Sequence, residues 1–323
     1  MLQRKRALLE FAGKCASRSG MNVRLSRLAP ETAACLHKLV EDGIIQAVGD
    51  DDRYRFAHDI YFEWSFYQFL HDREDDWIAA LTEAGEPPVL GRVVELLAQS
   101  KLASFDWAAG LATLEASTLR AQWRRAWLIG PLASAEFEDH QGAFESAVSA
   151  DGYKRLNQLL VWFQAERTTP NALVLQNESL PYSGPERIQY ADRFGWPSDP
   201  RAWRRLIEWT LEREEKFPVE VVPNLVSVFE VWQNAFSMTP NPVSQRIVDK
   251  ALDWLIDIEN RRYASGWTHD HGWWQGLDGD TLCTALDLLT SNASDLAFET
   301  ETEIGHVCAA GWDPQFTGRP ILA

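Results

Sequence analysis

The tightest constraint on the fold lies in Tyr54-Arg55-Phe56-Ala57-His58-Asp59-Ile60-Tyr61-Phe62-Glu63-Trp64, where the pattern changes period. Ile44 to Val48 reads as a strand, Gly49-Asp50-Asp51-Asp52 as a turn, and Tyr54 to Ala57 as the returning strand. A helix then begins, and Asp59 has the side chain of an N-cap. Ile60, Trp64 and Tyr67 share one face of it, while Phe62, Phe66, Phe69 and Leu70 cover much of the rest. A helix apolar all round must be buried on several sides.

The residues before this hairpin carry helical periodicity. Leu8, Leu9, Phe11, Ala12 and Cys15 place a first helix over about Lys5 to Ser17, ended by Gly20. Ser26 to Leu28 forms one short helical turn. Pro30 opens a further helix with Ala33, Leu36, Leu39 and Val40 as its stripe, and Gly43 is its C-terminal cap. Three helices followed by a β-hairpin is the order of a winged helix, assigned to residues 1–72.

A winged helix raises the question of DNA. The reading helix, Glu31 to Asp42, offers Glu31, Thr32, His37, Lys38, Glu41 and Asp42, and the wing tip carries three aspartates. Base and phosphate contacts call for Arg, Lys, Asn or Gln instead. The whole chain of 323 residues has a formal net charge of −16. Residues 1–72 are balanced, so the excess acid belongs to residues 73–323 and repels phosphate backbones. Nucleic acid is therefore not the expected ligand.

Leu36-His37-Lys38-Leu39-Val40-Glu41-Asp42-Gly43-Ile44-Ile45, then Tyr54-Arg55-Phe56-Ala57-His58-Asp59 and Glu63-Trp64, resemble the winged helix of the STAND class of signalling NTPases. That class includes NOD-like and plant disease-resistance receptors, apoptotic scaffold ATPases and bacterial antiviral ATPases. Phe56-Ala57-His58-Asp59 is similar to the family's Met-His-Asp motif, whose His contacts the phosphate of bound ADP and stabilises the resting state. The resemblance implies that His58 senses nucleotide and that Asp59 orients it or caps the helix. It covers about a fifth of the chain.

The 323 residues contain no G-x-x-x-x-G-K-[ST] phosphate cradle. The expectation is a C-terminal fragment, a split subunit or a degenerate relative. It would bind no cofactor itself, and ATP or ADP only when joined to a nucleotide-binding domain or subunit. There is also no G-x-S-x-G, H-E-x-x-H or Cys-x-x-Cys, so no catalytic residue is assigned.

Residues 73–323 read as helices joined by short polar loops: Trp77–Ala84, Val89–Gln99, Phe105–Ala116, Arg120–Ile129, Phe137–Ala147, Tyr153–Glu166, Pro185–Phe194, Pro200–Lys216, Val219–Phe236, Val243–Asn260 and Thr281–Ser291. Trp162, Trp209 and Trp254 recur at spacings of 47 and 45 residues, near the ~40–47 of HEAT or armadillo pairs. Trp127 precedes Trp162 by only 35, which makes the expected α-solenoid irregular. The fold class is thus mostly α: a winged helix followed by HEAT/armadillo-like repeats, whose concave surface suits a protein partner.

The segment Trp267 to Asp280 gathers Trp267, His269, His271, Trp273 and Trp274, the candidate partner-binding residues. His269 and His271 lie on one side of an extended segment, as metal ligands do. A two-residue spacing without a third ligand favours a hydrogen-bonded loop, and no metal is assigned. Cys15, Cys35, Cys283 and Cys308 lack metal spacing and read as thiols of a reducing cytoplasm. No apolar run reaches the ~20 residues of a membrane span. The leading functional expectation is the regulatory and sensing portion of a STAND-type NTPase. A self-contained helical scaffold or winged-helix regulator is the alternative, and a metal-dependent enzyme built on the 267–280 loop is the third reading.

Overall fold

The computed structural model describes residues 2–17, 22–49, 52–177, 179–236 and 241–265. Over these the chain is mostly helical, and it divides into two compact units, Met1–Phe144 and Glu145–Ala323.

The first unit opens with α1 (Leu2–Ala16), β1 (Asn22–Arg24), a 3-10 turn at Leu25–Arg27, α2 (Pro30–Glu41), β2 (Ile45–Val48), β3 (Arg53–Phe56) and α3 (Asp59–His71). The strands form one antiparallel sheet in the order β1-β3-β2, with Tyr54 paired to Val23 on one side and Ala47 on the other. β1 was not expected, because three residues are too few to show a period of two. The expected cap of α2 is present. Gly43 has φ +71, its N–H bonds to Val40 O, and Ile44 N–H reaches Leu39 O, which is the Schellman arrangement. At the other end, Ala29 offers no side-chain cap. Glu10 on α1 supplies it, taking the Ala29 N–H at 3.0 Å and the Thr32 hydroxyl at 2.5 Å. A carboxylate there also faces the positive end of the helix.

The core of this part is a run of rings. Phe11 of α1 lies 5.1 Å from Phe56 of β3, which lies 5.7 Å from Phe62 of α3, with Phe66 next at 5.9 Å. All four are buried.

The unit continues through α4 (Trp77–Glu83), α5 (Gly91–Ala103), α6 (Trp107–Ala116), α7 (Ala121–Ile129) and α8 (Phe137–Ser149), the unit boundary falling within α8. Trp77 and Trp127 stack at 4.9 Å with planes 12° apart. Trp107 Nε1 donates to Trp127 O, and Trp127 Nε1 donates to Trp107 O, both at 3.2 Å. Both rings are wholly buried and both indole donors are satisfied. Gly110 makes this possible, since a Cβ there would stand 2.3 Å from the Trp127 ring. Glu86, at φ +54, accepts the Arg120 N–H at 2.9 Å and the Trp123 Nε1–H at 2.7 Å, capping α7 from a distance. The Arg120 backbone bond, followed by the Trp123 bond, holds the Glu86 carboxyl below the usual range.

The second unit contains α9 (Lys154–Arg167), α10 (Ala172–Gln176), α11 (Gly184–Phe194), α12 (Pro200–Leu211), α13 (Val222–Phe236) and α14 (Pro242–Ser265). Asp199 caps α12 at the Ala202 N–H with Pro200 in the first turn, as the sequence implies. Helix α12 stops at Leu211 rather than continuing to Lys216. Glu214–Lys216 is a separate 3-10 turn. Arg213 donates to Glu145 at 2.8 Å and to Glu212 at 3.0 Å, with its guanidinium 5.3 Å from the centre of the Trp209 ring. Lys216 also reaches Glu145, and Glu214 pairs with Lys250. Two short features escaped the sequence reading: α10, capped by Asn171, and a two-stranded pairing of β4 (Thr168–Thr169) with β5 (Trp196–Pro197). Phe163 and Trp203 meet at 5.1 Å, and the Trp203 Nε1–H bonds to Arg167 O at 2.8 Å. Trp123, Trp127, Trp203 and Trp209 are buried. The expected helix Thr281–Ser291, with Cys283 and Cys308, lies outside the described residues, as do Asp50, Asp51 and Gly20.

Two glycines give opposite expectations. Gly110→Ala drives a methyl group into Trp127 and should lower stability by about 1–3 kcal/mol or more in urea unfolding. Gly142→Ala in α8, where a Cβ meets nothing within 4 Å, should raise it by roughly 0.5–1 kcal/mol. Equal effects would mean that the Trp127 contact does not constrain the helix pair.

A pH prediction follows from Glu145, whose carboxyl is held low first by the Arg213 bond and then by Lys216. A lowered folded-state value contributes stability above the ordinary value near 4.5, which is lost as pH falls through the lowered one. Glu145→Gln should therefore lower the melting temperature at pH 7, and the gap to wild type should close on acidification toward pH 3. A gap that stays constant with pH would assign the effect to packing.

Candidate functional site

The corner between β3 and α3 carries the residues singled out by the resemblance. Phe56, packed between Phe11 and Phe62, anchors the strand end, and the Ala57 N–H to Ile44 O bond at 2.9 Å extends the ladder one step. The next residue is held in the open: His58 is exposed, with φ −145 and ψ 146. Its Nδ1 accepts the Ile60 N–H at 3.2 Å, so His58 is the N-cap of α3. The expectation that Asp59 caps this helix is corrected. The extended residue is His58, and Asp59 already occupies the first helical position, where its charge faces the positive end of the helix.

This cap has a chemical consequence. A neutral imidazole that accepts at Nδ1 must carry its proton on Nε2. The assignment follows from the hydrogen bond, and it leaves an outward Nε2–H donor with no other hydrogen-bond partner among the described residues. Tyr61 stands edge-on to the imidazole, at 6.4 Å.

Helix α3 is not buried all round. It buries Phe62, Ser65, Phe66 and Leu70, whereas Ile60 is 60% exposed, Trp64 53% and Tyr61 42%. The inward face is filled by the ring run of the core, so these three large side chains project from the first two turns instead. Their exposure is not readable from composition, because inward and outward residues of this helix are equally apolar.

Charge is concentrated beside them. Glu63 has its carboxyl pushed up, first by burial; Arg92 opposes this, Asp59 and Glu95 add to it, and His58 opposes it slightly. Arg92 is largely committed elsewhere, donating to buried Glu95 at 2.7 Å. The involvement of Glu63 and Arg92 was missed in sequence because the two lie on different helices, α3 and α5.

The α2 surface is poorly equipped for reading bases. Thr32 is buried against Glu10, Asp42 is paired with Arg4, and His37 lies 3.6 Å from Glu41. A cleft of about 310 Å³ opens among α1, α3 and α4, lined by Glu10, Lys14, Phe69, Arg73 and Glu83 among others. Glu10 is spent on α2, and Arg73 lies over Phe69 and 3.8 Å from Glu83. Trp267, His269, His271, Trp273 and Trp274 lie outside the described residues. Among the described residues no three His, Cys, Asp or Glu side chains are placed to hold a metal ion, and no described helix is long and apolar enough to cross a membrane.

Compared with known proteins, the chain matches no protein-family model and no curated sequence.

The Glu63 environment predicts a sign. A folded-state value raised above the ordinary one means that the ionised form is disfavoured in the fold; the penalty is absent below about pH 4.5 and complete once pH exceeds the raised value. Glu63→Gln should raise the melting temperature at pH 7 and leave it unchanged at pH 4. A loss of stability at pH 7 would show that the carboxylate is held by attraction rather than strained by burial.

Proposed function

We propose that this chain is the non-catalytic regulatory and ligand-sensing portion of a STAND-type signalling NTPase, of the kind that serves antiviral defence in the cytoplasm. Residues 1–72 act as a winged helix that biases the nucleotide state of a P-loop domain or subunit. Residues 73–323 act as HEAT-like helical repeats that engage a protein ligand. Helix α1, the turn at Leu25–Arg27, helix α2 and a sheet ordered β1-β3-β2 support the winged-helix reading. Trp209 and Trp254, buried on separate helices, support the repeat reading, while Trp162, the first of the three, is half-buried.

The observation that carries the proposal is His58. A residue needed only for capping is ordinarily Ser, Thr, Asp or Asn. His58 caps α3 with one ring nitrogen and presents the other as a donor at an exposed corner. In this reading Nε2–H bonds a phosphate oxygen of ADP held by the P-loop partner, a bond strengthened by the charge of the phosphate. The contact exists only in the closed state and therefore weights the closed–open equilibrium.

The test is the native assembly, isolated from its source cells, with its intact mass and nucleotide content measured. A P-loop domain or subunit and retained ADP are expected. Losing one charge-assisted hydrogen bond costs roughly 1.5–3 kcal/mol, so His58→Ala should release ADP at least tenfold faster. Loss of the cap alone lowers the melting temperature modestly, and His58→Asn separates the roles by restoring the cap without an imidazole. If His58→Asn retains ADP as wild type does, or if no P-loop partner accompanies the chain, the proposal fails.

A further inference from the structure

The α3 corner holds a second feature that nucleotide sensing does not use. Ile60 and Trp64 are four residues apart and so form one row along the helix; Asp59 and Glu63 form the adjacent parallel row. Tyr61 flanks the apolar row at the N-terminal end. The apolar row is more than half exposed. The acidic row is only partly neutralised: Arg92 attracts Glu63 but spends its hydrogen bond on Glu95, and Asp59 and Glu95 both repel Glu63.

We infer that this double row docks a cationic amphipathic helix of a protein partner, its aliphatic side chains against Ile60 and Trp64 and its Arg or Lys row against Asp59 and Glu63. The partner is apolar because three large side chains in contact-forming positions otherwise remain in water. Trp and Tyr are also the residues that dominate interface energies once covered. The partner is cationic because a neutral one would desolvate Glu63 further without pairing it. Helical geometry in the partner matches the two parallel rows, since a helix presents an aliphatic and a basic row at the same four-residue spacing. An Arg in that row also reaches the face of Trp64. An anionic membrane or a nucleic acid is repelled by the same carboxylates.

The full chain would be titrated with two labelled synthetic helical peptides, one of leucine and arginine and one of leucine and glutamate, and binding read by fluorescence anisotropy at near-physiological salt. The arginine peptide should bind at least tenfold more tightly than the glutamate peptide. An Ile60→Ser/Trp64→Ser double variant and Glu63→Lys should each weaken it at least tenfold, with circular dichroism showing the helical fold retained. Asp139→Lys, an exposed change on α8, should alter binding less than twofold. Equal binding of the two peptides, wild-type affinity in the α3 variants, or equal loss in Asp139→Lys would overturn the inference, the last by showing general attraction to an acidic chain. His58→Asn, which keeps the α3 cap, should leave peptide binding within twofold. A failed titration alongside ADP retention that still depends on His58 would remove the docking inference alone.

Discussion

The reciprocal bond between Trp107 and Trp127 is the interaction on which the helices of the first unit depend. Each indole N–H meets the other residue's carbonyl, so two large rings are buried without an orphaned donor. Burying indole is favourable only when that donor finds a partner. The arrangement demands Gly110, where any side chain would enter the Trp127 ring, and it sets the ring that stacks on Trp77. Helices α4, α6 and α7 thus share one contact point. Phe144 continues it at 5.9 Å from Trp107, with Phe137 at 5.2 Å beyond.

Around such ring clusters, helix ends are completed from a distance. Glu10 closes the start of α2 and Glu86 the start of α7, neither being near its target in sequence. A remote carboxylate performs two tasks: it satisfies a free backbone N–H and it ties two elements together. The same logic appears in the second unit, where Glu145 gathers Arg213 and Lys216. These links make carboxylates, rather than aromatic residues, the acid-sensitive joints of the protein.

The β3–α3 corner combines both themes with a different outcome. The aromatic run through Phe11, Phe56, Phe62 and Phe66 fixes the inner face of α3, and His58 caps its start. Rigidity on the inner side leaves Ile60, Tyr61, Trp64 and the imidazole Nε2–H facing outward. A ready-made surface of this kind needs little ordering when a partner arrives.

Much of the local structure was legible in the sequence, because its causes are local. The stop of α2 at Gly43 follows from a left-handed cap, the start of α12 from Asp199 and Pro200, and the hairpin from two apolar runs around an acidic turn. The helical character of the chain follows from the spacing of its apolar residues. What tertiary structure alone decided is which apolar residues are left outside and which charges are paired. Phe62 and Trp64 are equally apolar in sequence, yet one is sealed beneath Phe56 and the other stands in solvent. The pairing of β1, the capping by Glu10 and Glu86, and the approach of Arg92 and Glu95 to Glu63 depend on segments far apart along the chain. Their partners are set by where the elements pack, and no local period encodes that.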